Sequence, residues 1–385
     1  MSFQLRSDEG NMNRKKQINL KKWILYIALI VLCVTSIYFV HHNENYYDRP
    51  IAEVTDVKVT GTRDITDTNG NKDRLHEQEV HATVKNGPEK GKDILLSNTF
   101  STSKAYDQEY KPGNDLFVSI NDPDGQGQLK GSIDDVKRDT SLIIIAWVFI
   151  FLMVLVGKRQ GFYSLGTLCI NAVILSFALD TYLSNDRIGL LATCGLAVVL
   201  FSSISLLLVN GFNRKTYAAV ISTLVATFVT LVISFIVIKS TAANGLRYEE
   251  MQFLTRPTET VFMAGILVGC LGAIMDVAIT LSSSIFTLYE KNPSISTKAL
   301  KDAGLEIGRD IMGTMTNIMF FVYISGAMPM LILYFKNASP LGFTLSMNLS
   351  LELARALTGG IGIVLAIPIG IAVSIYFVNK RRAVS

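Results

Sequence analysis

Long apolar runs separated by short charged connections set the pattern of this chain, and one polar stretch of about a hundred residues interrupts it. The runs are Trp23 to Val40, Thr140 to Val156, Tyr163 to Leu179, Ile188 to Val209, Tyr217 to Ile238, Thr258 to Phe286, Ile311 to Phe335 and Leu353 to Val378. Each reaches or approaches the roughly 17–25 residues that carry a helix across a bilayer. The pattern predicts a polytopic α-helical membrane protein with about eight transmembrane helices.

The polar interruption, residues 41–138, reads differently. Short alternating pieces at Ile51–Val59, Glu79–Lys85, Asp93–Phe100, Leu116–Asn121 and Gln128–Ile133 are divided by NGN, NGPEKGK, KPGND and DPDGQG, all turn chemistries. About five strands in so short a stretch predict a small extracytoplasmic β domain, barrel or OB-like. The acidic turns Asp67–Asp73 and Asn121–Gly125 invite a calcium reading. Placing their glycine as an EF-hand requires puts Ile65 or Ile120 at the first ligand position, so ordinary hairpin turns are expected instead.

Of 385 residues, 49% are hydrophobic, and mean hydropathy is +0.35. The 36 bases and 32 acids nearly cancel, so their placement carries the information. Arg14, Lys15, Lys16, Lys21 and Lys22 precede the first run. Lys158 and Arg159, Arg214 and Lys215, the bases between Lys291 and Arg309, and Lys380 to Arg382 all fall on the same side if each run crosses once. That side is the cytoplasm by the positive-inside rule, which puts both termini inside and residues 41–138 outside.

The expected organisation is a cytoplasmic tail 1–22, a signal-anchor 23–40, the β domain 41–138, a seven-helix domain 139–379 and a tail 380–385. No A-x-A site follows the first run, which favours an anchor over a cleaved signal peptide. Cys33, Cys169, Cys194 and Cys270 all lie in apolar runs, as small buried hydrophobes do. The paired His41 and His42 lack a nearby third ligand, so no metal and no cofactor is expected. The basic tails and loops face anionic lipid heads as their nearest counter-charge, so the lipid bilayer is the expected partner and nucleic acid is not.

Asp276 is the outlier. A carboxylate on a spanning helix costs at least about 2.5–3.5 kcal/mol on insertion scales and normally finds a partner or a wet cavity. Helical spacing places Thr280 and Ser283 near its face, together with the small residues Gly265, Gly269 and Gly272. The next run carries Arg309 and Asp310 at its mouth, then Gly313, Thr314 and Asn317 up one side. A buried polar seam between these two helices is expected, with Gly359 and Gly360 in the last run allowing close helix crossing. The connection STKALKDAGLEIGRD, with Ala299, Leu300, Ala303 and Ile307 at helical spacing, is expected to lie at the interface as a short amphipathic helix.

The stretches GCLGAIMDVAITLSSSI, GRDIMGTMTNIMFFVYISGAMPML and ELARALTGGIGIVLAIPIG resemble the YibE/F family of prokaryotic polytopic membrane proteins. The resemblance covers about residues 141–378, while the anchor and β domain are similar to those of the longer, YibE-type members. It implies a bacterial cell-membrane location. It also implies, as a partner, either a second copy or a shorter member of the family. The family is defined by sequence, so no activity carries over.

From the residues themselves the first expectation is a transporter or permease, ion- or proton-coupled. In it Asp276 titrates or binds a cation, Thr280, Ser283, Thr314 and Asn317 coordinate, and Arg309 or Asp310 gates the cytoplasmic mouth. The alternative is a structural or assembly factor whose β domain binds an envelope partner. An enzyme is not expected. All four histidines lie in the exported part, no serine has a lysine in dyad spacing within the spans, and no Walker-type phosphate loop occurs.

Overall fold

The computed structural model describes residues 26–104, 107–121, 129–185, 188–251 and 256–383. Its contacts divide into two compact units that part between Leu152 and Met153. It is a helical membrane protein with a small β domain.

The first unit holds helix α1 (Tyr26–His41) and strands β1 (Ile51–Thr66), β2 (Lys72–Val84), β3 (Asp93–Ser101), β4 (Asp115–Ile120) and β5 (Leu129–Val136). Alternate residues of these strands point inward: Ala52 and Val54, then Val80, Ala82 and Val84, then Ile94 and Leu96, with Leu116, Val118 and Leu129. The strand order is β1-β2-β3-β5-β4, with β4 returning to pair with β1, a closed order in which β3 and β5 run parallel. At Gly131 a side chain would meet the Ser119 carbonyl at 2.5 Å and Ile94 at 2.9 Å, so only glycine lets β5 fit between its neighbours.

β1 and β2 are longer than alternation alone marks. Their far ends form a two-stranded arm exposed on both faces, held by backbone pairing from Val59 to Thr66, and pairing without a buried face leaves no hydrophobic period to read. The arm ends in a turn where Asp67 Oδ1 accepts the N–H groups of Asn69 and Asn71, and Gly70 takes φ +81°. The first acidic stretch is therefore a hairpin turn. Most of the second, residues 122–125, lies outside the described residues.

Asn86 ties the entry of the chain to this sheet. Its side-chain oxygen accepts from Ile51 N–H at 2.6 Å, and its amide donates to the carbonyls of Glu44, Tyr47 and Arg49 at 2.7–3.2 Å. At 4% exposure no water replaces these bonds. Asn86→Ala is expected to cost about 2–3 kcal/mol in thermal unfolding of the full chain, since several buried backbone groups lose their partner together. Asn86→Asp, which keeps the acceptor but turns a carboxylate oxygen toward three carbonyls, should cost at least as much.

Three segments meet below the sheet, where α1 ends, β5 ends and helix α2 (Asp139–Ser184) begins. Lys137, with its side chain 1% exposed, donates to the last-turn carbonyl of Val40 at 2.6 Å and lies 3.1 Å from Asp139 Oδ1. Asp139 Oδ2 in turn accepts from Asn43 and from the Tyr47 hydroxyl, each at 3.1 Å. Burial pushes the Asp115 carboxyl up while the Lys137 ammonium pulls it back. Trp147 on α2 donates to Ser36 Oγ on α1 at 2.7 Å, so the two helices are joined one level further down.

The second unit begins within α2, which breaks at Lys158 (φ 50°, ψ −123°). Gly161 comes up against the Met153 carbonyl beyond the break, where a side chain would not fit. The remaining helices are α3 (Leu190–Asn210), α4 (Arg214–Ser240), α5 (Thr258–Gly269), α6 (Leu271–Lys291), α7 (Thr297–Lys336) and α8 (Leu341–Arg382). Asn213 caps α4 by accepting from Thr216 N–H, which closes the α3–α4 hairpin at Gly211. The main core joins α4, α6, α7 and α8 through Ala226, Ile274, Leu281, Ile285, Met319, Ile363 and Ile371.

One expectation fails here. The amphipathic stretch after Lys291 does not lie apart at the interface but is continuous with the next span as the 40-residue α7. Its apolar side is the packed one: Leu300, Gly304 and Gly308 are buried, with Gly304 against Ile371 and Ile285 and Gly308 against Ile367. Two glycines let α8 approach closely, and that packing outweighs the lipid surface as a partner for the stripe.

Candidate functional site

The stretch holding Asp276 is one apolar span of 34 residues with a joint in it. Cys270 separates α5 from α6, yet its N–H still reaches the Ile266 carbonyl and its carbonyl still accepts from Ile274. The joint therefore falls at the glycine cluster and not at the three serines, and it bends the span without opening it.

On α6 the buried side is Ile274, Val277, Ala278, Leu281, Ser282 and Ile285. At about 100° per residue, Gly272, Asp276, Thr280 and Thr287 fall on the opposite side, and all four are exposed. Ser283, two turns on from Asp276, lies on this same face but is half-buried. α7 shows the same division. Leu300, Gly304, Gly308 and Met319 face the bundle, while Arg309, Asp310, Gly313, Thr314 and Asn317 are exposed on the far side.

The expected seam buried between these two helices is therefore absent within one chain. Each helix does carry the polar face that its spacing implied, but each turns it away from the bundle. The reason is competition for the inner face: Ile274, Leu281 and Ile285 on α6 and the Leu300–Gly304–Gly308 stripe on α7 win the contacts with α8.

The glycines divide accordingly. Gly265 lies under Arg355, Gly269 under the Tyr323 hydroxyl, Gly359 against Met319 and Gly360 against Thr316. In the first two, the missing side chain makes room for a polar tip and not for a backbone. Gly272 and Gly313 have nothing within 4 Å and lie open on the outward faces.

Sequence reasoning missed a second polar feature, on α4. Thr216, Ser222, Thr223, Thr227, Thr230 and Ser234 are all buried, spaced by helical turns. Ser222, Thr230 and Ser234 return their hydroxyls to the carbonyl four residues back, the usual solution in an apolar helix. Thr223 and Thr227 do not, and neither has a partner among the described residues. Nearby in the same core, Ser282 of α6 and Ser374 of α8 bond each other at 3.0 Å. The signal was available as a run of hydroxyls at turn spacing with no charge among them, but hydroxyls are mild enough to pass as ordinary span residues.

Because those two threonines bury hydroxyls without compensation, Thr223→Val and Thr227→Val are each expected to stabilise the protein by about 1 kcal/mol. Thermal unfolding in detergent reads this directly, and a loss of stability would mean that the hydroxyls are satisfied in the membrane.

In the first half of α8, Glu352 and Arg355, one turn apart, form an ion pair. The guanidinium also lies over the Phe262 ring at 5.2 Å. Each charge neutralises the other. In the first unit, a shallow polar groove of about 470 Å³ runs across β1, β2, β3 and β5 between Thr60, Glu77, Glu79, Ser97, Thr99 and Lys130.

A family model described as YibE/F-like protein matches residues 145–380, and a second, described as YibE/F family N-terminal domain, matches residues 45–136. No curated protein and no solved structure matches.

Proposed function

This chain belongs to the YibE/F family, and on that premise we propose that it is one subunit of a multi-chain membrane permease, ion- or proton-coupled, with Asp276 in its pathway. The observation that carries this reading is the outward placement of Gly272, Asp276 and Thr280 midway along an apolar span. Left against hydrocarbon, the carboxylate alone would cost at least about 2.5–3.5 kcal/mol, so in the membrane the face is covered by water or by another chain. A pathway closed within one chain lacks this support, because the polar face of α7 also turns outward.

The topology is eight crossings in a bacterial cell membrane, counting α1 once, α2 twice about its break at Lys158, α5 with α6 as one, and α3, α4, α7 and α8 once each. Both termini are then cytoplasmic and the β domain, of OB-like strand order, is outside. Proteoliposomes under an imposed proton gradient test the activity. Wild-type protein should carry a flux that Asp276→Asn reduces to the level of empty liposomes, and equal flux in both would remove Asp276 from the pathway.

A second reading, an assembly factor without transport, draws on the polar groove of the β domain, which offers carboxylates, hydroxyls and a lysine to an envelope partner. It predicts that wild-type proteoliposomes carry no flux and that removing residues 50–138 abolishes partner capture.

A further inference from the structure

The outward faces of α6 and α7 differ in kind, and they are level with each other. On α6 the face offers an acid and small residues, Asp276 with Gly272 and Thr280; on α7 it offers the Thr314 hydroxyl and the Asn317 amide around Gly313, with the charged pair Arg309 and Asp310 one turn nearer its start. Two contacts fix their relative depth. Gly304 of α7 packs against Ile285 of α6, and Tyr323 of α7 reaches Gly269, the last residue of α5, just across the Cys270 joint from α6. The helices run antiparallel between these points, and proportional spacing puts Asp276 level with Thr314 and Met315, Thr280 level with Asp310, and Asn317 between Gly272 and Asp276.

Rotation about an axis along the membrane normal preserves depth. A second copy related by such a rotation brings its α7 face to the α6 face of the first with level residues still level. We propose that copies of this chain associate in this head-to-tail manner, α6 of one against α7 of the next, so that Asp276 meets Thr314 and Asn317 of its neighbour. This rests on the multi-chain reading above and names the partner as the chain itself. The acid gains donors that nothing among the described residues of its own chain supplies. Gly272 and Gly313, with nothing within 4 Å, let the two backbones approach. A contact between two different faces repeats around a ring, unlike a two-fold contact that pairs one face with itself.

The test uses two differently tagged full-length copies in one membrane, Asp276→Cys on the first and Thr314→Cys on the second, oxidised in place. A disulfide-linked product carrying both tags, dependent on both introduced cysteines, is expected. The pair Thr280→Cys with Asp310→Cys, which leaves Asp276 intact, should give the same product even where loss of the acid impairs folding. Gly272→Leu or Gly313→Leu should abolish it.

Formation of the bond only when both cysteines share one chain would overturn the proposal. So would linkage of either cysteine to a smaller, different membrane protein in place of the tagged copy. Failure of the permease reading looks different: cross-linking would persist while wild-type proteoliposomes carried no flux.

Discussion

Replacing Lys137 by methionine is expected to destabilise the protein by about 3 kcal/mol, the largest effect of any single change in the first unit. The ammonium is almost fully buried and makes two contacts at once, with the Val40 carbonyl at the end of α1 and with the Asp139 carboxylate at the start of α2. Methionine fills the volume but leaves a carbonyl unpaired and a carboxylate with neutral donors alone, Asn43, Tyr47 and the Thr140 N–H. The cost falls at the low end of the range for breaking a buried pair because Asp139 is 25% exposed and regains some water.

Fluorescence of Trp147, which bonds Ser36 beside this junction, reports the transition in the full-length protein. Adding Asp139→Asn to Lys137→Met should recover roughly half of the loss, since the unpaired charge is then gone. A Lys137→Met protein that melts with wild type would mean that the junction is held by the apolar packing of α1 and α2 alone.

Gly362→Leu should be comparably severe in the second unit, at about 3 kcal/mol. A side chain there would start 2.6 Å from Ile274 on α6 and 3.2 Å from the Thr230 hydroxyl on α4, so it wedges three helices apart at once. The β-branched Ile274 has little rotamer freedom with which to yield. Gly272→Leu and Gly313→Leu are the matched controls: both are glycine-to-leucine changes in spans of the same unit, but each meets open space. Their melting in detergent should stay within about 0.5 kcal/mol of wild type. If Gly362→Leu is as stable as they are, α4, α6 and α8 are not packed at this point.

The membrane-helical character was legible because the bilayer sets a length that few other environments demand, and the hydrophobic runs state it directly. The polar faces of α6 and α7 were legible for a similar reason: Asp276, Thr280, Asp310, Thr314 and Asn317 stand out against apolar neighbours at turn spacing. Which way those faces turn was not. Direction is decided by competition among inner faces, and the winning residues, such as Ile274 and Leu300, are indistinguishable by type from lipid-facing ones like Ile318 or Val322. In a membrane both partners are apolar, so the sign of the pattern that orients a soluble helix is lost.

The α7 continuation misled for a related reason. Ala299, Leu300, Ala303 and Ile307 mark an apolar stripe, but Gly304 and Gly308, which decide that α8 takes it, add no hydrophobicity to the pattern. In the β domain the inward positions were readable where one face is buried and unreadable in the exposed arm from Val59 to Thr66. Beyond the nearby Asp139, the Lys137 junction left no local signal, because its other partners at Val40, Asn43 and Tyr47 lie about ninety residues earlier in the chain.

The most direct test is the surroundings of the outward faces in a bilayer. Spin labels placed singly at 272, 280, 313 and 317 report collision with oxygen, which concentrates in lipid, and with a water-soluble nickel chelate. Labels at Val232 and Ile236, exposed on α4 and away from both faces, supply the lipid reference. Oxygen collision well below that reference at all four positions, whether the label is packed against a neighbour or wet, is the expected result. Oxygen collision as high at 272 and 280 as at 232 and 236, with no response to the chelate, would place the Asp276 face against hydrocarbon and contradict both the pathway and the assembly built on it.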